Sequence, residues 1–134
     1  MTSINIYSNI IGIDKLYNID HEFDWNKISG LFSIKYDIIF NNFFEQSSQV
    51  VLGLIYSLSI TQSYELKVIF SDVCNFRLNN IGNQLIQISG FEIQDKIKDG
   101  WLNPRFLVND YEGDIFSFLC NSIEISSVEK STLF

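Results

Sequence analysis

The residues able to do chemistry in this chain are few, and their spacing narrows them further. His21 is the only histidine, so any mechanism in which imidazole activates a nucleophile or holds a metal must run through it. It stands in the polar stretch Asn18-Ile19-Asp20-His21-Glu22-Phe23-Asp24. No Gly-x-Ser-x-Gly elbow accompanies it, and a solvated histidine beside acids is expected. Asp20, Glu22 and Asp24 alternate, which would line one edge of an extended segment with oxygens suited to a hard cation. A calcium loop then needs a glycine and a later glutamate, whereas Trp25-Asn26-Lys27 follows here, so no metal is expected. Cys74 and Cys120 lack C-x-x-C spacing, which argues against zinc. Both lie in apolar stretches and are expected to be buried thiols, with one disulfide as the open alternative. The seven glycines are scattered and form no phosphate-binding pattern, so no cofactor is expected. The one catalytic arrangement that spacing leaves open is a pair of carboxylates meeting across a cleft as acid and base.

A second group has the chemistry of a binding surface. Glu92, Asp95, Asp99, Asp110, Tyr111, Glu112 and Asp114 fall in or near consecutive turns, with Trp101 among them. Carboxylates orient and accelerate encounter with a cationic partner, and tryptophan is a good interface anchor. Asp95, Asp99, Trp101, Asp110 and Glu112 are the candidate contact residues. The competing reading is a polar strand face with Trp101 packed into the core.

The elements that would position these residues are strands, because apolar residues alternate with period two through most of the chain. Val50, Leu52, Leu54, Tyr56, Leu58 and Ile60 share one parity, and the first part of this strand is apolar on both faces, as a central strand is. Thr61-Gln62-Ser63 turns the chain into Tyr64, Leu66, Val68 and Phe70, an antiparallel partner. Phe76 and Leu78 precede Asn79-Asn80-Ile81-Gly82-Asn83, which predicts a further hairpin. Apolar parity then switches at Ser89-Gly90 and again at Asn121-Ser122, and each switch predicts a bulge in a long, curved strand. Lys98-Asp99-Gly100 and Glu112-Gly113-Asp114 read as turns around a strand containing Phe106, Val108 and Asp110. In the N-terminal third, Ile4 and Ile6 suggest a short strand, and Ile34, Tyr36, Ile38 and Phe40 another. Between them Trp25, Ile28, Leu31 and Phe32 fall at helical spacing behind a capping Asp24. The expected fold is mainly β: a curved antiparallel meander, as a sandwich or partly open barrel, with one short N-terminal helix.

At 134 residues, with 46% hydrophobic and 15% aromatic content, the chain is long enough to build one core as a single domain spanning residues 1–134. Sixteen acids against nine bases give a net charge of −7. That field repels phosphate backbones and anionic lipid and attracts basic partners, so direct nucleic-acid or membrane binding is not expected. The first residues lack the basic start and apolar stretch of a signal peptide, and no apolar run is long enough to span a bilayer, which predicts a cytoplasmic protein.

Several runs carry a resemblance to a known family. Leu66-Lys67-Val68-Ile69-Phe70-Ser71-Asp72-Val73, Gly90-Phe91-Glu92-Ile93-Gln94-Asp95, Gly100-Trp101, Arg105-Phe106-Leu107-Val108-Asn109-Asp110-Tyr111-Glu112 and Ile115 to Ile125 resemble the C-terminal half of bacterial immunity proteins, in the family catalogued as immunity protein 50. These belong to polymorphic-toxin and contact-dependent inhibition systems, and the likeness spans roughly residues 64 to 126. It implies a non-catalytic protein whose partner is the toxic C-terminal domain of a delivered effector, often a nuclease with a basic surface. An acidic inhibitor would compete there with nucleic acid. Two other readings remain open at this point: a β-barrel holding a small apolar ligand, prompted by curved strands and twelve phenylalanines, and a carboxylate-dependent hydrolase.

Overall fold

The period-two stripes fold into two antiparallel sheets that turn their apolar faces toward each other. The computed structural model describes residues 9–40, 42–79, 86–88, 90–100, 104–110 and 115–131. The expected strand at Ile4 and Ile6 and the turns at 80–83 and 112–114 lie outside them. A single α-helical turn, α1 (Asp14–Tyr17), is followed by a 3-10 turn (Trp25–Lys27) and then by β1 (Ile28–Phe40), β2 (Gln46–Ser57), β3 (Ser63–Ser71), β4 (Cys74–Leu78), β5 (Ile86–Gln87), β6 (Phe91–Asp95), β7 (Phe106–Asp110), β8 (Phe116–Cys120) and β9 (Ser122–Lys130). One sheet has five strands in the order β5-β1-β2-β3-β9, the other four in the order β4-β8-β7-β6. Both are open, so the architecture is a sandwich of two sheets rather than a closed barrel.

The β2–β3 hairpin forms as its alternation requires, with Leu54 opposite Leu66 and Val50 opposite Phe70. Val50, Leu52, Leu54, Tyr56, Leu66, Val68 and Phe70 all face inward and are fully buried. From the other sheet Phe91, Phe106, Val108, Phe116, Phe118 and Cys120 meet them. Phe70 and Phe118 span the two layers edge to face, with ring centroids 5.0 Å apart, a geometry that adds roughly 0.5–1.5 kcal/mol to the burial itself. The N-terminal segment joins the β9 edge through Ile11 N–H to Ile123 O (2.9 Å) and Ile125 N–H to Ile11 O (2.8 Å). This seats Leu16 of α1 in the core.

Four local expectations are corrected. The helical spacing of Trp25, Ile28, Leu31 and Phe32 belongs to a single 3-10 turn, capped as expected by Asp24 through Asn26 N–H (3.0 Å), and then to a strand with two bulges. The β1–β2 register slips between Ile28 and Gly30 and again between Leu31 and Ser33. Each bulge adds a residue, so the inward positions become Ile28, Leu31 and Ile34, three apart, which imitates a helix. The parity switch at Gly90 is a change of sheet: β5 pairs with β1, and β6 pairs with β7. The switch at Asn121 is likewise the passage from β8 to β9. Gly90 makes its turn at φ 76°, a conformation glycine adopts without steric cost. The predicted hairpin after Leu78 is absent, because β4 pairs with β8 and not with β5.

Gly53 sits close against β1 in the five-stranded sheet. A Cβ there would lie 2.8 Å from the Phe32 ring and 2.9 Å from Ser33 Cβ. The ring can swing aside, but Ser33 Cβ is fixed to the neighbouring strand. Gly53→Ala is therefore expected to lower stability by about 1–3 kcal/mol. Phe32→Ala in the same background should recover only part of that loss in denaturant titration.

Candidate partner-binding surface

Of the residues singled out as a contact patch, Asp95, Asp99 and Asp110 lie among the described residues, and these three do not share one exposed face. Asp95 and Asp99 lie at the β6–β7 turn, and Asp110 lies at the far end of β7, opposite Phe91. Trp101 and Glu112 fall outside the described residues. Asp95 is held in a bidentate ion pair, with Arg105 Nη2 2.7 Å from Oδ2 and Arg105 Nε 2.9 Å from Oδ1, and it also accepts from Asn9 Nδ2 (3.3 Å) and Ile97 N–H (3.1 Å). The Arg105 contact, opposed by partial burial, keeps the Asp95 carboxyl below its ordinary range. Asp99 is exposed on the turn, 3.8 Å from Lys96 Nζ. Asp110 is only 1% exposed, and its Oδ1 accepts from Ile115 N–H (2.8 Å) and Phe116 N–H (2.9 Å). That carboxylate closes the β7–β8 connection and is turned away from any partner.

The acids around His21 are also engaged. Asp20 Oδ2 lies 2.8 Å from Lys27 Nζ and accepts from the Tyr56 hydroxyl, while Oδ1 accepts from Glu22 N–H (2.9 Å). Burial pushes the Asp20 pKa up, but Lys27, Tyr56 and Glu22 together outweigh it and hold the carboxyl below its usual range. Tyr56, fully buried, is raised well above the ordinary phenol value by burial first and by its hydrogen bond to Asp20 second. His21 is exposed, as its polar context predicts. Among the described residues no group of three or more His, Cys, Asp or Glu is placed to hold a metal ion.

Both cysteines are free thiols, and the expectation that both are buried holds for one of them. Cys120 is buried, and that burial pushes its thiol up to about 12. Cys74 is exposed, because it pairs with outward-facing Leu119 on edge strand β4. The space between the sheets is occupied by rings, and the open grooves lie elsewhere. One of about 340 Å³ runs over the outer face of the five-stranded sheet beside Phe32, Gly53, Glu65, Lys67 and Glu129. Another of about 470 Å³ is lined by Arg77, Leu107, Ser117 and Leu119.

What the fold does present is an apolar arm. β2 leaves β3 at Gln49, opposite Ser71, while β1 and β2 stay paired out to Phe40 opposite Gln46. Tyr36 (50% exposed) is opposite Val50, still within the sheet, and beyond Gln49 the arm carries Ile38 (47%), Ile39 (43%) and Phe40 (59%), with Phe43 (80%) and Phe44 (86%) at its tip. Phe44 sits at φ 60°, a left-handed conformation uncommon outside glycine. Tyr36 still touches the core through Phe76 (5.8 Å). Sequence reading missed the arm because Ile38-Ile39-Phe40 and Phe43-Phe44 have the composition of a core strand. The usable signal was Gln46-Ser47-Ser48-Gln49, a polar run opposite apolar residues where a buried hairpin would be apolar on both strands.

Comparison with family models, curated proteins and solved structures finds no match to this chain.

Two measurements check the polar anchors. A carboxyl whose folded pKa lies below its unfolded value contributes its full stabilisation above the unfolded value, near pH 4, and loses it as pH falls through the folded pKa. Asp20→Asn should thus be less stable than the parent chain at pH 7, with the gap closing as pH drops below about 4 in urea melts. A gap that widens toward low pH would contradict the assignment. Asp110→Ala strands one buried and one part-buried amide and should cost about 1–3 kcal/mol per donor at most, again by urea titration.

Proposed function

We propose that this chain is a non-catalytic immunity-type protein that acts in the bacterial cytoplasm and neutralises a cognate toxin domain by stoichiometric binding, with Phe43 and Phe44 as its apolar anchors. The observation that carries the reading is the exposure of those rings, 80% and 86%, at the tip of an arm whose first strand also exposes Ile38, Ile39 and Phe40. A contiguous exposed apolar surface on a small protein marks an interaction site, and large aromatic side chains are where binding energy concentrates.

Charge supports the same reading. A net charge of −7 accelerates encounter with a basic partner such as a nuclease domain and disfavours nucleic acid as the ligand. Asp99, exposed at the β6–β7 turn beside Lys96, is accessible to such a contact, whereas Asp95 and Asp110 are committed to Arg105 and to backbone amides. The resemblance over residues 64 to 126 points in the same direction. Since no family model matches, the arm carries more weight than the resemblance.

The test is co-expression with the C-terminal domain of an effector toxin found in the same gene neighbourhood. Growth should be restored, and the two proteins should co-elute on size exclusion. Phe43→Ser with Phe44→Ser should weaken the complex by about 2 kcal/mol or more and abolish rescue, with the melting temperature unchanged within a few degrees. Full rescue by the double variant, or no complex with the parent chain, would overturn the proposal.

A further inference from the structure

The outer face of the four-stranded sheet carries a recess that the proposed toxin contact does not involve. Where β4 pairs with β8, Cys74 stands opposite Leu119 and Arg77 opposite Ser117, so Asn75 and Phe76 together face Phe118. Asn75 takes up the extra residue at φ 54°, the left-handed conformation of a bulge. A bulged strand bends, and the open space beside this one, about 470 Å³, is lined by Asn75, Arg77, Leu107, Ser117 and Leu119. That volume falls in the range of small-molecule sites.

The lining has two halves of different chemistry. Arg77 and Ser117 are cross-strand neighbours, close enough for their side chains to serve one group. Arg77 is exposed and makes no ion pair with any described residue, and the Ser117 hydroxyl makes no hydrogen bond to one. Further along β8, Leu119 stands opposite Leu107 of β7, and both are half-buried on the same outward face. Among the described residues no acid lines the recess, in a molecule whose net charge is −7. An unneutralised guanidinium beside an unbonded hydroxyl is a donor set for an anion. Two facing leucines are a seat for a chain of methylenes.

We propose that this recess binds a small unbranched carboxylate, with Arg77 and Ser117 on its headgroup and Leu107 and Leu119 under its chain. One cation and one hydroxyl match a single charge, whereas a phosphate dianion would need a second cation in a field that is already negative. The same field, summed over a large contact, disfavours an acidic protein face more than a small ligand with one charge. The site rests neither on Phe43 and Phe44 nor on the immunity reading.

Isothermal titration calorimetry of the full chain with sodium decanoate, below its micelle concentration, tests the site. Binding should saturate with a single decanoate per chain. Octanoate should bind roughly tenfold more weakly, because two buried methylenes are lost. Decanol with the parent chain, and decanoate with Arg77→Gln, should each lose at least roughly tenfold in affinity, because the charged hydrogen bonds are gone. Phe43→Ser with Phe44→Ser should bind decanoate as the parent does, which separates the recess from the exposed arm. No saturable binding, equal affinity for decanol, an affinity indifferent to chain length, or binding lost with the two phenylalanines would each overturn the proposal. Tighter binding of an acetylated leucine dipeptide with a free carboxylate would overturn it in favour of a peptide ligand. Normal binding by Arg77→Gln, folded by circular dichroism, would also overturn it, and the decanol comparison decides the role of the charge without any variant.

Discussion

One continuous run of aromatic contacts holds the two sheets in register, and the rest of the fold is arranged around it. From Tyr17 it passes through Phe23 (6.1 Å), Trp25 (5.0 Å), Phe91 (5.2 Å), Phe116 (5.7 Å), Phe118 (6.1 Å) and Phe76 (5.5 Å) to Tyr36 (5.8 Å). Its members come from the N-terminal segment, the 3-10 turn, β6, β8, β4 and β1, so neither sheet can shift without breaking ring contacts to the other. Among the described residues the chain passes between layers at Asp72-Val73, at Gly90 and at Asn121, and each passage returns an aromatic or branched residue to this seam. Tyr36, the last ring, lies at the base of the arm, where Ile38 and Phe40 continue the same parity beyond the last β2–β3 pair. The exposed surface is the core stripe prolonged beyond its cover.

A dry seam obliges the polar groups at its margins to find partners, because an unpaired buried group costs more than a made hydrogen bond returns. Asp20, Tyr56 and Lys27 close one margin, tying the N-terminal segment to β2. Asp110 serves the β7–β8 connection, and Asp95 with Arg105 ties Asn9 to the β6–β7 hairpin. These acids contribute to the net charge of the molecule while being structurally committed. Acidity in this chain is thus a property of the whole field more than of one patch.

Much of the fold was legible because inward positions alternate. The β2–β3 hairpin, the inward parity of Phe106, Val108 and Asp110, and that of Phe116, Phe118 and Cys120 all follow from period two. The failures share one cause, since parity does not distinguish a bulge from a change of sheet. Gly90 and Asn121 change sheet without bulging, while Ser29 and Phe32 bulge within one strand and shift its buried residues to a spacing of three. The candidate surface was less legible. Asp110 reads as a surface acid until the amides of Ile115 and Phe116 are seen to surround it, and Phe43 and Phe44 read as core because sequence does not show where a neighbouring strand ends.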